Sequence, residues 1–415
     1  MFCDWLSVWQ QHDPNLPDFN GGRVVSIDGG CGLARRETID TDGVVAEAWA
    51  LCGEDAEIEF DTPKFTQHKG SYETTLLVRM VGGKVEVRGN PSKFGRLDNL
   101  FGLGVDDGIA VYNEVLLSLG LPEFTAGELV HNVSGDARSG FESFVEGWND
   151  DRAVWTGAHI IRADITQNMA VGSGHVADFH KWLGQQKLYR SAPDATALDQ
   201  FARWDWNTVA LSSSFLMHVK AYDKGQELGE VSLPHYLKRL KAAAKDGRIA
   251  KADVRPLYQE AEDYLDKLAL WCAETGVSRL EWSFKSRWFA QHDGMGYWKP
   301  FETESALFDE AEKHMGKIAE RAVVYQADAV SGLTRSERGA LSMWKEGASP
   351  EEIAPKSTFY RLRAAILKKT GHDIAARPIT TVSEVRPVFF QVRSLALKDA
   401  PVWYQRPSFQ MRLAA

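Results

Sequence analysis

A period-two pattern that recurs in three separate segments constrains this chain most. In "HIIRADITQ", Ile161, Ala163 and Ile165 alternate with Arg162, Asp164 and Thr166. In "FLMHVKAYDK", Phe215, Met217, Val219 and Ala221 alternate with Leu216, His218, Lys220 and Tyr222. In "SRLEWSFKSR", Leu280, Trp282 and Phe284 alternate with Arg279, Glu281, Ser283, Lys285 and Arg287. Successive side chains of a strand point to opposite faces, so each segment reads as a half-buried strand. Taken singly, each polar face is explained by solvent. Side by side they would gather two carboxylates, a tyrosine, a histidine and several cations, a set suited to a phosphodiester.

The remaining signals frame these strands. Up to about residue 155 the chain reads as β-rich with long loops. Its clearest element is "TLLVRMVGGKVEVRG", two β-branched runs around Gly82-Gly83, which supply the positive φ angles of a tight hairpin. The Gly- and Asn-rich stretch Gly89–Gly104 reads as a loop that could border a DNA channel, although turns alone account for its composition. Helices are expected over about 106–119, 173–185 and 233–275, and beyond about 300 the chain turns mainly helical.

Near the C-terminus, Thr334 to Glu337 and Ser349 to Glu352 have the form of capping boxes, and Pro350 suits a first helical position. Pro355 ends the short second helix, and Ser357 reads as the cap of "TFYRLRAAILKK". Longer helix, short helix, turn and basic helix is the layout of a helix-turn-helix, although a small helical bundle has the same pattern. The expected fold class is α+β: a central antiparallel sheet with flanking helices, then a mainly helical C-terminal domain with the helix-turn-helix-like segment. The expected divisions are 1–155, β-rich and either separate or completing the sheet; 156–300, the core; 301–375, helical; and 376–415, an extension.

Composition excludes several classes. Hydrophobic residues make up 44% and charged residues 25% of the 415, an ordinary globular balance. No apolar run is long enough for a membrane span, and the first residues, with Asp4 and no basic start, do not read as a signal peptide. The four cysteines are scattered with no Cys-x-x-Cys pair, which suits a reducing cytoplasm. No Gly-x-x-x-x-Gly-Lys-Ser/Thr sequence is present, so a P-loop ATPase is unsupported, as are His-Glu-x-x-His and Gly-x-Ser-x-Gly hydrolases. A net charge of −9 is unfavourable for DNA binding unless the positive charge is local. It is: 236–251 holds six basic residues and one acid, including Lys238, Arg239 and Lys241. The segment 356–369 holds five basic residues and no acid, with Lys356, Arg361 and Arg363 beside Tyr360. Solvated helix faces are the plainer explanation of each run alone.

These residues define a candidate chemistry. A tyrosine hydroxyl that attacks phosphorus releases a 3′-hydroxyl and stores the bond as a phosphotyrosine. A carboxylate-held Mg²⁺ or Mn²⁺ would neutralise the phosphate. Tyr222 is the candidate nucleophile, Asp164 and Glu281 the candidate ligands, and Lys224 a candidate neighbour of the phosphate or leaving group. Arg162, Lys220 and Lys285 are candidate contacts to the strand backbone. The competing structural explanation pairs Asp164 with Arg162 or Lys285, and Glu281 with Arg279.

The same residues lie in blocks that resemble the gene II / gene X replication initiators of filamentous bacteriophages. In order these are the opening "DWL", "VEVRGNPSKF" with "NLFG", "IIRADIT", "KAYDKGQEL", "VSRLEWSFKSRW", "STFYRLRAAIL" and "PVWYQRP". The resemblance spans most of the chain. It implies a rolling-circle nuclease-like core in which Tyr222 becomes joined to DNA, with Lys224 and Glu227 following it and Asp164 and Glu281 as active-site acids. It also implies nicking of one strand at a duplex origin and later closure of the displaced single strand. A separate host helicase, single-strand-binding protein and DNA polymerase would be partners. Many such nucleases carry a His-hydrophobic-His metal motif. None of the eleven histidines here is two residues from another. His68 and Glu227 are therefore further candidate ligands beside Asp164 and Glu281, with His218 on the Tyr222 face as an additional one. Two other readings compete: a non-enzymatic helix-turn-helix regulator, and a metal-independent tyrosine recombinase.

Overall fold

The computed structural model describes residues 1–28, 35–39, 45–49, 57–62, 65, 75–131, 153–184, 208–213, 216–245, 247, 249–292, 294–323, 332–370, 372–375 and 392–404. The fold is α+β around a large antiparallel sheet. Its N-terminal strands are β1 (Phe2–Gln11), β2 (Val24–Asp28), β5 (Glu57–Thr62), β6 (Thr75–Val81) and β7 (Lys84–Gly89). β3 (Arg35–Ile39) and β4 (Val45–Trp49) form a separate hairpin, as do β8 (Leu129–His131) and β9 (Ala153–Trp155). The later strands are β10 (His159–Ala170), β11 (Thr208–Ser213), β12 (Met217–Asp223), β13 (Val277–Phe284) and β14 (Arg393–Leu395). The order is β11-β12-β13-β10-β1-β7-β6-β2-β5, with β14 added against β10. Strands from the first 155 residues and from 156–300 thus share one sheet, joined where β1 pairs with β10.

Local chemistry explains the turns that set this order. Gly82 and Gly83 take φ values of 53° and 70° and close the β6–β7 hairpin. A Cβ on Gly83 would also lie 2.2 Å from the Asp13 carbonyl oxygen, so this position needs glycine for space as well as conformation.

The helices are α1 (Val105–Ser118), α2 (Val176–Gly184), α3 (Lys224–Glu227), α4 (Leu233–Lys245), α5 (Val254–Thr275), α6 (Ser286–Gln291) and α7 (Glu302–Val323). The apolar sides of the strands, including Leu6, Ile165, Val219 and Trp282, form one core with Ile109 and Tyr112 of α1 and Phe179 of α2. On the other side, α4 and α5 close a second core over Val277, Ala170, Leu100 and Tyr404. The polar face between is therefore roofed at one end and open at the other.

A third cluster unites α8 (Arg335–Lys345), α9 (Pro350–Ile353) and α10 (Lys356–Thr370) around Leu341, Trp344, Phe359 and Ile366. The Thr334 box forms: the Thr334 N–H donates to Glu337 at 2.7 Å, and the Glu337 N–H to the Thr334 hydroxyl at 3.3 Å. Glu337 also accepts from Lys369 at 2.8 Å, which ties α8 to α10. The Ser349 N–H donates to Glu352 at 2.6 Å. Ser357 is not a cap, because α10 starts at Lys356 and the Phe359 N–H already bonds the Pro355 carbonyl. No helix among the described residues is long and apolar enough to cross a membrane.

Two expectations from simple alternation are corrected. β13 ends at Phe284, which places Arg287 on α6. In β10 the core position goes to Ile160, not Ile161, because a register shift between Ser7 and Val8 inserts Ile161 as an extra residue. Such a bulge puts two neighbouring side chains on one side of a strand. Phe215 lies outside the described residues.

Candidate active site

Register places the polar residues in rows across β10, β13 and β12. One row is Asp164, Ser283 and His218; the next is Thr166, Glu281 and Lys220; the third is Asn168, Arg279 and Tyr222. Glu281 thus occupies the centre, with Asp164 diagonal on one side and Tyr222 diagonal on the other. Directly opposed side chains on neighbouring strands are about 5 Å apart at Cβ, within reach of one another. A second bulge, in β1 between Cys3 and Trp5, brings both Asp4 and Trp5 to this face.

The two acids have different settings. Asp164 is buried and takes a two-pronged bond from Arg162, at 3.0 Å from Nε and 2.6 Å from the terminal nitrogen. Glu281 pairs with Lys220 at 2.9 Å, not with Arg279. Burial, reinforced by the nearby Asp164 charge, lifts the Glu281 carboxyl above its ordinary value, with Lys220 opposing. Burial works against charge on Lys220, yet Glu281 keeps that ammonium above its ordinary value. His218 is pushed down to about 4 by burial and by Lys220, Lys285 and Arg162, so it is neutral at pH 7.

Tyr222 is half-buried, and burial raises its hydroxyl well above the ordinary value. Arg279 acts in the opposite sense through its charge. Arg279 is fully buried and rigidly held. Its Nε donates to Asn168 at 3.0 Å, and one terminal nitrogen donates to the Asn99 and Leu100 carbonyls at 2.7 and 2.9 Å. Its other end faces Asp4 at 3.8 Å. Asp4 in turn accepts from Asn90 at 3.1 Å and from Asn99.

Lys224 and Glu227 point into this buried support and not onto the open face. Lys224 is 1% exposed, donates to Asn99 at 2.7 Å and pairs with Glu227. Glu227 also faces Lys93 at 3.5 Å and accepts from Ser232 at 3.2 Å. Burial disfavours its charge, but Lys224 and Lys93 outweigh that and hold the carboxyl far below its ordinary value. The Gly89–Gly104 stretch supplies Asn90, Lys93 and Asn99 to this network, so it is a buried brace. Tyr404, in the "PVWYQRP" block, braces it in turn. The Tyr404 hydroxyl donates to Asp98 at 2.9 Å and accepts from the Phe101 N–H at 3.0 Å and from Arg96 at 3.1 Å.

The other candidates are more dispersed. Lys238 and Lys241 are exposed on α4, with Arg239 half-buried. Lys356, Tyr360 and Arg361 are exposed on α10. Arg363 is committed to Asp373 by two bonds of 2.6 Å. Lys285 begins α6 beside Arg162 and the face. His68 lies outside the described residues.

Among the described residues no three of His, Cys, Asp and Glu form a ready metal cluster. Two carboxylates still suit a hard cation, since Mg²⁺ is commonly held by one or two carboxylates, with water and substrate phosphate completing its shell. The Thr166 hydroxyl, opposite Glu281 and in the row next to that of Asp164, is buried without a hydrogen-bond partner. The donor set fits. The residues that alternation did not single out are Arg279 as a partner of Tyr222, and Asp4, Asn99 and Asn168 behind it. In the sequence Asp4 and Asn99 lie in the blocks "DWL" and "NLFG" and Arg279 in "VSRLEWSFKSRW", whereas Asn168 lies in none of them.

No protein-family model and no solved structure matches the chain. It is similar to the replication-associated protein of Escherichia phage If1, at 27% identity over 343 residues, which is 79% of this chain and 96% of that protein. The resemblance expected from the motifs is therefore borne out: over most of its length the chain is similar to a filamentous-phage gene II replication protein.

Proposed function

We propose that this chain is a rolling-circle replication initiator that cuts one strand at a duplex origin with Tyr222 and later closes the displaced strand. The observation that carries the reading is the set of rows on one sheet face, with Glu281 between Tyr222 and Asp164. The similarity to a phage replication-associated protein supports the same role. In the cutting step the Tyr222 oxygen forms a bond to phosphorus as the bond from phosphorus to the 3′ oxygen breaks. The phenolic proton leaves, and the 3′ oxygen takes up a proton to depart as a hydroxyl. The 5′ phosphate stays on the tyrosine, so the strand can be rejoined by the reverse transfer.

Arg279 favours the phenolate, because a fixed cation beside a developing anion stabilises it without reorganisation. Lys220 and Arg162 orient the phosphate. Asp164 and Glu281 would hold Mg²⁺ or Mn²⁺, which supplies charge neutralisation at the phosphate. Lys224 and Glu227 act through the brace behind Tyr222. The exposed cations of α4 and α10 bind duplex DNA, α10 in the manner of a recognition helix. Lacking a P-loop in its sequence, the protein would rely on a host helicase, polymerase and single-strand-binding protein inside the bacterial cell.

The test is incubation with supercoiled origin DNA and Mg²⁺, with and without EDTA, followed by mass identification of the DNA-linked peptide. Open circles that need metal, carrying a Tyr222 peptide on the 5′ end, are expected, and Tyr222→Phe should abolish them. Full nicking by Tyr222→Phe would rule out this nucleophile. Bound but uncut DNA would instead favour a regulator.

A further inference from the structure

Beyond Asp164, on the side away from Tyr222, the same sheet face opens into a cleft of about 330 Å³. Trp5, Ser7, Phe65, Arg88, Arg162 and Lys285 line it. Its aromatic and cationic groups are interleaved. The Arg162 guanidinium lies 5.1 Å from the Trp5 ring centre, and Arg88 lies 4.1 Å from that of Phe65. Trp5 is fixed in orientation, because its indole N–H donates to the Ser7 hydroxyl at 3.2 Å. Both bulges serve this place: one turns Trp5 onto the face, and the other puts Ile161 beside Arg162 at its wall.

Each feature restricts what fits. The volume lies at the lower end of small-ligand sites, enough for a single planar group and too narrow for a duplex edge. Flat aromatic and guanidinium surfaces stack on nucleobases whatever their identity. Glu86 and Asp164 pair with Arg88 and Arg162, and the Lys285 ammonium adds positive charge to the same wall. Burial, and after it the neighbouring Arg162, hold that ammonium below its ordinary value, with Asp164 acting the other way.

We infer that this cleft binds an unpaired nucleobase of the DNA strand being cut, stacked on Trp5, with its phosphate against Arg162 and Lys285. Trp5 lies on β1 and Tyr222 on β12, three strand spacings or about 14 Å across the sheet, and their rows at Asp164 and Asn168 are offset by about 13 Å along the strands, so the two lie roughly 20 Å apart. The bound base therefore sits a few nucleotides from the phosphate at Tyr222. The cleft sets where the strand lies relative to the nucleophile, and it favours origins that expose an unpaired base at that distance. The inference rests on the sheet face being the DNA site.

The experiment uses full-length Tyr222→Phe protein without divalent metal, so that binding is read apart from cutting. Single-stranded origin oligonucleotides carry 5-iododeoxyuridine at successive positions and are photo-crosslinked. Crosslinking is expected to peak at one position and to map to the peptide containing Trp5. An abasic residue at that position, which needs no protein variant, should weaken binding about tenfold, as should Trp5→Ala, while Trp5→Phe should restore most of the affinity. Crosslinks confined to α4 or α10, or an abasic oligonucleotide bound as tightly as the parent, would overturn the inference. Equal competition by free deoxynucleoside monophosphate would overturn its strand-borne form. None of these readouts depends on nicking, so failure of the cleavage reading would register separately in the wild-type nicking assay.

Discussion

Arg279 shows how much a single side chain can depend on distant parts of the chain. Its guanidinium is held by Asn168, by the Asn99 and Leu100 carbonyls and by Asp4, and it opposes the burial that raises the Tyr222 hydroxyl. Arg279→Lys keeps the charge but loses the forked donors, so less of the phenolate form is favoured. The tyrosine hydroxyl then titrates higher, and single-turnover cleavage should fall at pH 7 with its rise shifted to higher pH, while oligonucleotide affinity stays within about threefold. An unchanged pH profile would count against the pairing. Glu227 gives the complementary prediction for stability. Its carboxyl is held below the unfolded value near 4.5, so its contribution is present above that pH and is lost as pH falls through the lowered value. Glu227→Gln strands Lys224 and Lys93 in the interior and should cost roughly 3–5 kcal/mol at pH 7. Thermal melts of the two proteins should converge as pH drops below that of the unfolded carboxyl. At this scale the shared face of Tyr222, Asp164 and Glu281 was legible, because alternation is local. Lys224 and Glu227 were legible as a block, but their burial was not, since the groups that bury them lie more than a hundred residues away.

Among the elements, the strands and capped helices follow from short-range rules, and the departures arise where two elements meet. The bulges in β1 and β10 come from pairing those two strands, so neither segment alone reveals them. In the same way α10 could be read as basic, yet its cations divide into two kinds only once Asp373 and Glu337 are in place. Lys356 and Arg361 are exposed, whereas Arg363 is spent on Asp373. Charge removal at Lys356 or Arg361 should therefore weaken duplex binding and lower the salt slope by roughly one for each phosphate no longer neutralised. Arg363→Ala should instead lower the melting temperature of the α8–α10 unit. Binding isotherms at several salt concentrations, alongside circular dichroism melts, separate the two. A normal salt slope for Arg361→Ala would remove that residue from the interface.

For the molecule as a whole, β1 is the central joint. It lies between β10 and β7, carries Asp4 and Trp5, and joins the strands that precede residue 90 to those that follow residue 158. A fragment starting at residue 156 would expose the edge of β10 and leave Arg279 without Asp4. It should aggregate or lack origin cleavage, as solubility and nicking assays would reveal. If that fragment were soluble and fully active, the continuous sheet would not be the working unit. The β14 strand and Tyr404 extend this dependence to the C-terminal side, since they pack against β10 and the brace behind Tyr222. What the chain's own residue order determined was the period of each strand, the capped helices, the local basic runs and the resemblance to the gene II proteins. These depend on neighbours within a few positions, where side-chain direction follows directly from backbone repeat. Which strands pair, where a bulge slips the alternation, and which ions are buried depend on contacts between distant segments. Only the tertiary structure decided those, and they are what separate the open part of the polar face from its roofed end, where Lys224 and Glu227 are buried beside the Arg279–Tyr222 row.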